Sequence, residues 1–104
     1  MPAPPPNPGT LPLNGALAGS EPLARLLQRV GESRRRFDAV ADLLPSGLRE
    51  SVRPGPLDDE GWALLAAHGG AAAKLRQLLP RLDERLRAGG FAALPIKVRV
   101  QPPG

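Results

Sequence analysis

An α+β fold, a small three-stranded sheet with helices packed on one face, is what three features of this 104-residue sequence predict. The first is Trp62 to Leu86, where an apolar strand passes through Gly69-Gly70 into a long amphipathic helix. The second is the run Ile96-Lys97-Val98-Arg99-Val100-Gln101, which alternates apolar and polar with period two. The third is Arg53-Pro54-Gly55-Pro56-Leu57, extended because its prolines forbid helix, followed by the turn Asp58-Asp59-Glu60-Gly61.

Taken in order, residues 1–19 carry no charged side chain and six prolines, so the sequence predicts an unstructured tail there with polyproline character. Ser20-Glu21-Pro22 starts a helix, with a serine cap and a proline in the first turn, where its missing N–H costs nothing. Leu23, Leu26, Leu27 and Val30 follow at helical spacing, and Phe37, Val40, Ala41 and Leu44 resume it in phase beyond Gly31. One helix with a weak point at Gly31 or two helices satisfies this pattern. Within it, Arg34-Arg35-Arg36 spreads over about 200° of helix surface, and the expectation is a solvated face rather than one patch. Pro45 ends the pattern, and Leu48 and Val52 close a short turn of helix or irregular segment.

The hairpin Arg53–Leu57, turn, Trp62–Ala67 comes next, with the first strand at an edge because of its prolines. In the helix after Gly70, with Lys74 at zero and about 100° per residue, Leu75, Leu78, Leu79, Leu82 and Leu86 span roughly 40° to 140°. Lys74, Arg81 and Arg85 lie within about 20° of zero, a cationic flank to the leucine stripe. Pro80 falls on the solvent side and is expected to kink the helix or split it, and Gly89-Gly90 stops it. Ile96, Val98 and Val100 then point inward onto Leu75, Leu78, Leu79 and Leu82, with Leu23, Leu26, Leu27 and Phe37 completing the expected core. Lys97, Arg99 and Gln101 point outward, and Pro102-Pro103 ends the last strand. A single domain over residues 20–101 results, with 102–104 as its end.

Composition narrows function. The formal charge is +4, and residues 74 to 99 carry seven cations against Asp83 and Glu84, a balance that favours an acidic partner such as nucleic acid. There is no cysteine and one histidine, which leaves no thiolate or zinc site and no evident nucleophile with its base, so neither an enzyme nor a cofactor or metal is expected. The acidic turn at Asp58-Asp59-Glu60 has no further carboxylate or histidine nearby and reads as solvated. No stretch approaches the ~18 apolar residues of a membrane span. A cytoplasmic location, close to the nucleoid if DNA is the ligand, is expected.

The element order resembles the type II K-homology arrangement, α-β-β-α(-α)-β, although no G-x-x-G clamp loop occurs in the chain. A closer resemblance covers residues 43 to 101. Leu43-Leu44-Pro45, then Gly55-Pro56-Leu57 with its acidic turn, Trp62-Ala63-Leu64-Leu65-Ala66, Ala73-Lys74-Leu75-Arg76 through Pro80 to Leu82, and Ile96-Lys97-Val98-Arg99-Val100 are similar to the DciA family. That family, long a domain of unknown function, is associated with bacterial DnaB-type replicative helicases and assists their loading onto single-stranded DNA. The resemblance implies a noncatalytic DNA-replication accessory protein, with the helicase and single-stranded DNA as partners and no small-molecule substrate. The expected nucleic-acid footprint is Lys74, Arg81, Arg85, Lys97 and Arg99. Alternatives are a K-homology-like RNA- or ribosome-associated factor and a noncatalytic protein-interaction module.

Overall fold

A computed structural model of the protein describes residues 21–101. The proline-rich segment 1–19, the Ser20 cap and residues 102–104 lie outside the described residues. The chain forms helix α1 (Glu21–Val40), a 3₁₀ turn (Ala41–Leu43), a short helix α2 (Ser46–Arg49), strands β1 (Val52–Asp58) and β2 (Gly61–Ala66), helix α3 (Gly69–Ala88) and strand β3 (Ile96–Val100). This is the expected α+β arrangement, a three-stranded mixed sheet with helices packed against it.

The strand order is β1-β2-β3. β1 and β2 pair antiparallel from Val52↔Ala66 to Asp58↔Gly61, joined by a turn in which the Asp58 carboxylate accepts from the Glu60 and Gly61 N–H groups. The register shifts between Pro54 and Leu57, around Gly55. A Cβ at Gly55 would lie 2.9 Å from the Leu65 side chain and 3.0 Å from the Ala63 carbonyl oxygen, so the bulge needs a glycine there. β2 and β3 pair in parallel, Trp62↔Ile96 through Ala66↔Val100, which requires the crossover that α3 supplies.

α1 runs unbroken through Gly31, and α3 runs unbroken through Pro80, so the order, with the short α2 included, is α-α-β-β-α-β, and no helix is split between β2 and β3. Pro80 is exposed on the solvent side of α3, where its ring meets no packed neighbour layer and the helix lacks one internal hydrogen bond. His68 caps α3, its Nδ1 accepting from the Ala71 N–H at 3.1 Å. At the other end Gly90 adopts φ 86°, the left-handed conformation that stops a helix and costs glycine least.

The core lies between the sheet and the two long helices. Trp62, Leu64 and Ala66 of β2 pack with Val52, Leu75, Leu82, Leu86, Val40 and Leu44, and Phe37, Leu78, Leu79, Ile96 and Val98 lie half-buried against them. Two expectations fail. Leu23, Leu26 and Leu27 are not core: they are 41%, 56% and 50% exposed, and Val30 with them 51%. The reason is rotation: with Leu23 at zero and about 100° per residue, the buried Ser33, Arg36 and Val40 lie at about 220–280°, whereas Leu26, Val30, Leu23 and Leu27 lie between about 300° and 40°. α1 therefore buries Ser33, Arg36 and Val40 and leaves its leucine stripe at the margin of the packed face. Val100, at the far end of β3, is likewise 46% exposed.

The arginine run is the second correction. Arg34 and Arg35 are exposed, but Arg36 is 1% exposed, because it shares one side of α1 with Ser33 and Val40, the other buried residues of that helix. Its Nε donates to Glu32 at 3.1 Å and its Nη2 to the Ala92 carbonyl at 2.9 Å. The guanidinium sits 6.0 Å from the Trp62 ring centre and 5.5 Å from that of Phe91, a cation between two aromatic rings. Its Nη1 has no protein partner.

Candidate nucleic-acid interface

The sheet has two unlike faces. Along β2 the even-numbered residues face the helices, and Ala63 and Leu65 face away. On β3 the same alternation sends Ile96 and Val98 under α3 and Lys97 and Arg99 to the opposite side. The register then sets Arg53, Leu65 and Arg99 in one row across the three strands, with Lys97 beside Ala63 in the next. Arg53 Nη2 donates to Gln101 Oε1 at 2.9 Å, bridging the two edge strands over the middle one. A shallow depression of about 290 Å³ lies on this face between Pro56, Leu65, Lys97 and Arg99, and no residue of either long helix lines it.

Lys97 is half-buried. Its stem runs across Gly61, where an added Cβ would come within 3.2 Å of Lys97 Cε, so the ammonium is carried over the sheet on a supported chain. Arg99 is exposed. Among the described residues, no ion pair involves Lys97, Arg99 or Arg53. Asp58 borders the depression, with its carboxylate engaged in the hairpin turn.

The α3 cations occupy another part of the molecule. Lys74 and Arg81 are exposed on the helix and make no ion pair among the described residues. Arg85 is committed to structure: its Nη1 donates to the Ala39 carbonyl at 3.0 Å and to Asp42 Oδ1 at 2.8 Å, tying α3 to the end of α1. The hydrogen bond from Arg85, aided by the charges of Arg85 and Arg49, holds the Asp42 carboxyl below the usual carboxylate range. The five sequence-predicted residues thus do not converge. Lys97 and Arg99 share the open sheet face, Lys74, Arg81 and Arg85 ride on the helix layer, and the sheet lies between the two sets.

Arg53 joins the sheet-face pair, and sequence reasoning did not include it. Its signal was present in the outward parity of the first strand, but its row partner depends on the parallel register of β3, which no local pattern sets. Among the described residues, no group of three histidine, cysteine, aspartate or glutamate side chains is arranged to hold a metal ion. No described helix is long and apolar enough to cross a membrane. No protein-family model matches the chain, and a search of curated proteins found no match.

Proposed function

We propose that the protein is a noncatalytic accessory factor of DNA replication that binds single-stranded DNA through phosphates and contacts a DnaB-type replicative helicase, as its resemblance to the DciA family implies, on a K-homology-like scaffold. The observation that carries the nucleic-acid part is the sheet face turned away from α3, where Arg53, Lys97 and Arg99 stand together without a carboxylate paired to them. Three cations around a shallow depression suit a flexible phosphate backbone. Trp62 is fully buried and Phe91 is packed beside Arg36, so neither is presented on this face for base stacking. Binding then depends on phosphate contacts, with little base preference and a steep fall with salt. Arg85, held by Asp42, contributes less than Lys97 or Arg99, and Lys74 and Arg81 act as a secondary basic surface.

Fluorescence anisotropy with labelled oligothymidine tests this reading. Lys97→Glu with Arg99→Glu is expected to abolish binding at moderate salt, and Lys74→Glu with Arg81→Glu to weaken it only a few-fold. Equal binding by the sheet-face variant and the parent would refute the assignment of the face. Retention of purified DnaB-type helicase on the immobilised protein after nuclease treatment supports the partner, and recovery of ribosomal particles from an extract instead favours the RNA-associated alternative.

A further inference from the structure

The outer edge of β3 has no neighbouring strand among the described residues. The Pro95 carbonyl accepts from the Trp62 N–H at 2.9 Å, and the Gln101 N–H donates to the Ala66 carbonyl at 2.7 Å. Backbone groups alternate sides along a strand, so residues 95, 97, 99 and 101 bond towards β2. Both backbone groups of Ile96, Val98 and Val100 consequently point to the open edge. Such a row is a template for another strand. The β1 edge differs, because Pro54 and Pro56 have no N–H and the Gly55 carbonyl already accepts from Ser33 Oγ at 2.7 Å.

What flanks the β3 edge defines what fits it. On the helix side a cleft of about 440 Å³ opens between α3 and the approach to β3, walled by Leu79, Pro80, Leu94 and Ile96, with Asp83 and Arg87 at its rim. On the opposite side stand Lys97 and Arg99. A strand laid along the edge presents alternate side chains to these two surfaces, apolar ones to the cleft and acidic ones to the cations. A second copy of the chain is a poor occupant: antiparallel pairing of two β3 strands about Val98 sets Lys97 of each copy opposite Arg99 of the other, two like-charged pairs.

We propose that the β3 edge is a docking site for an extended segment of a partner protein in which apolar and acidic residues alternate, which adds a fourth strand to the sheet. This goes beyond the nucleic-acid reading and does not rest on it, since it requires the backbone edge, the cleft and the positive charge of Lys97 and Arg99, whether or not that charge also holds phosphate.

The probe is a fluorescein-labelled peptide of strand length alternating valine and glutamate, titrated into the full chain. Two control peptides are a version with lysine for glutamate and the acidic version with its central amides N-methylated. Both controls are expected to bind at least about tenfold more weakly, from charge repulsion and from lost strand hydrogen bonds respectively. Hydrogen exchange at the Val98 and Val100 amides should slow when the acidic peptide binds. Val98→Pro deletes an outward N–H and no bond to β2, so it should cost the peptide a similar factor and leave oligothymidine affinity at the parent value. Failure of the acidic peptide to bind, equal binding by its N-methylated form, or unchanged exchange at Val98 would overturn the proposal. The N-methylated peptide and the exchange measurement use the parent protein, so they decide even where Val98→Pro does not fold. Loss of DNA binding by the sheet-face charge variants bears on the function proposed above and not on this edge.

Discussion

A single hydroxyl holds three elements together. Ser33 Oγ donates to the Gly55 carbonyl at the β1 bulge and accepts from Trp62 Nε1 at 2.8 Å, at a position only 4% exposed on α1. Ser33→Ala is expected to destabilise the fold by about 1–3 kcal/mol, because it leaves a buried indole N–H without an acceptor. In a double-mutant cycle with Trp62→Phe, the two changes should cost less together than their sum, read from urea unfolding midpoints. Strict additivity would show that the hydroxyl matters only to Gly55. Neither Ser33 nor Arg36 was legible beforehand, because both sit in a polar run whose local pattern reads as solvent-facing. What decides their burial is the approach of β1, β2 and Phe91, all distant in sequence. The exchange of water for an aromatic sandwich around Arg36 is a tertiary event with no counterpart in local propensity.

Within elements, angular position carried more information than residue type. On α3, Leu82, Leu75 and Leu86 lie near 80°, 100° and 120°, the middle of the stripe, while Leu78 and Leu79 lie near 40° and 140°, its margins, at about 100° per residue. Burial follows that order, with Leu75 and Leu82 fully buried, Leu86 3% exposed and Leu78 and Leu79 half-buried. Leu82→Ala is therefore expected to cost about 2–5 kcal/mol, and Leu79→Ala clearly less, by thermal or urea unfolding. Equal losses would mean that the helix is rotated relative to the sheet. The Arg85–Asp42 strap between α3 and the end of α1 gives a pH signature. The Asp42 carboxyl is depressed in the folded state, so its contribution is complete above the ordinary carboxylate value of about 4 and is lost as pH falls through the lower folded value. Asp42→Asn should flatten that part of the acid limb of the stability profile and leave its neutral limb parallel to the parent's. An unchanged acid limb would assign the titration to other carboxylates. Alternation on β3 also made Lys97 and Arg99 legible as outward residues. The same alternation implies that they leave the α3 cations behind, on the other side of the sheet.

At the scale of the whole molecule, the question is where the apolar surface goes. The buried core is drawn from Val40 onward, around the sheet, and the leucines of the first turns of α1 lie outside it. Helical spacing correctly places Leu23, Leu26, Leu27 and Val30 on one side of a helix. Spacing alone does not say which side of the helix the sheet meets, and here it meets the side that carries Ser33, Arg36 and Val40. Leu26 and Val30 instead form one wall of a groove of about 450 Å³ whose other wall is Pro54, Pro56 and Leu57 of β1. If these side chains add nothing to the fold, Leu26→Gln, Leu27→Gln and Val30→Thr should each leave stability within about 0.5 kcal/mol of the parent, as for surface positions away from packed features. The parent's melting temperature should also be independent of protein concentration, because association through that patch would stabilise the folded state by mass action. The decisive comparison is urea unfolding of the parent and the triple variant at two protein concentrations. Parallel curves with the same midpoint are expected. A parent midpoint that rises with concentration and a variant midpoint that does not would make the α1 patch a self-association surface, and a large concentration-independent loss in the variant would place these residues in the core after all.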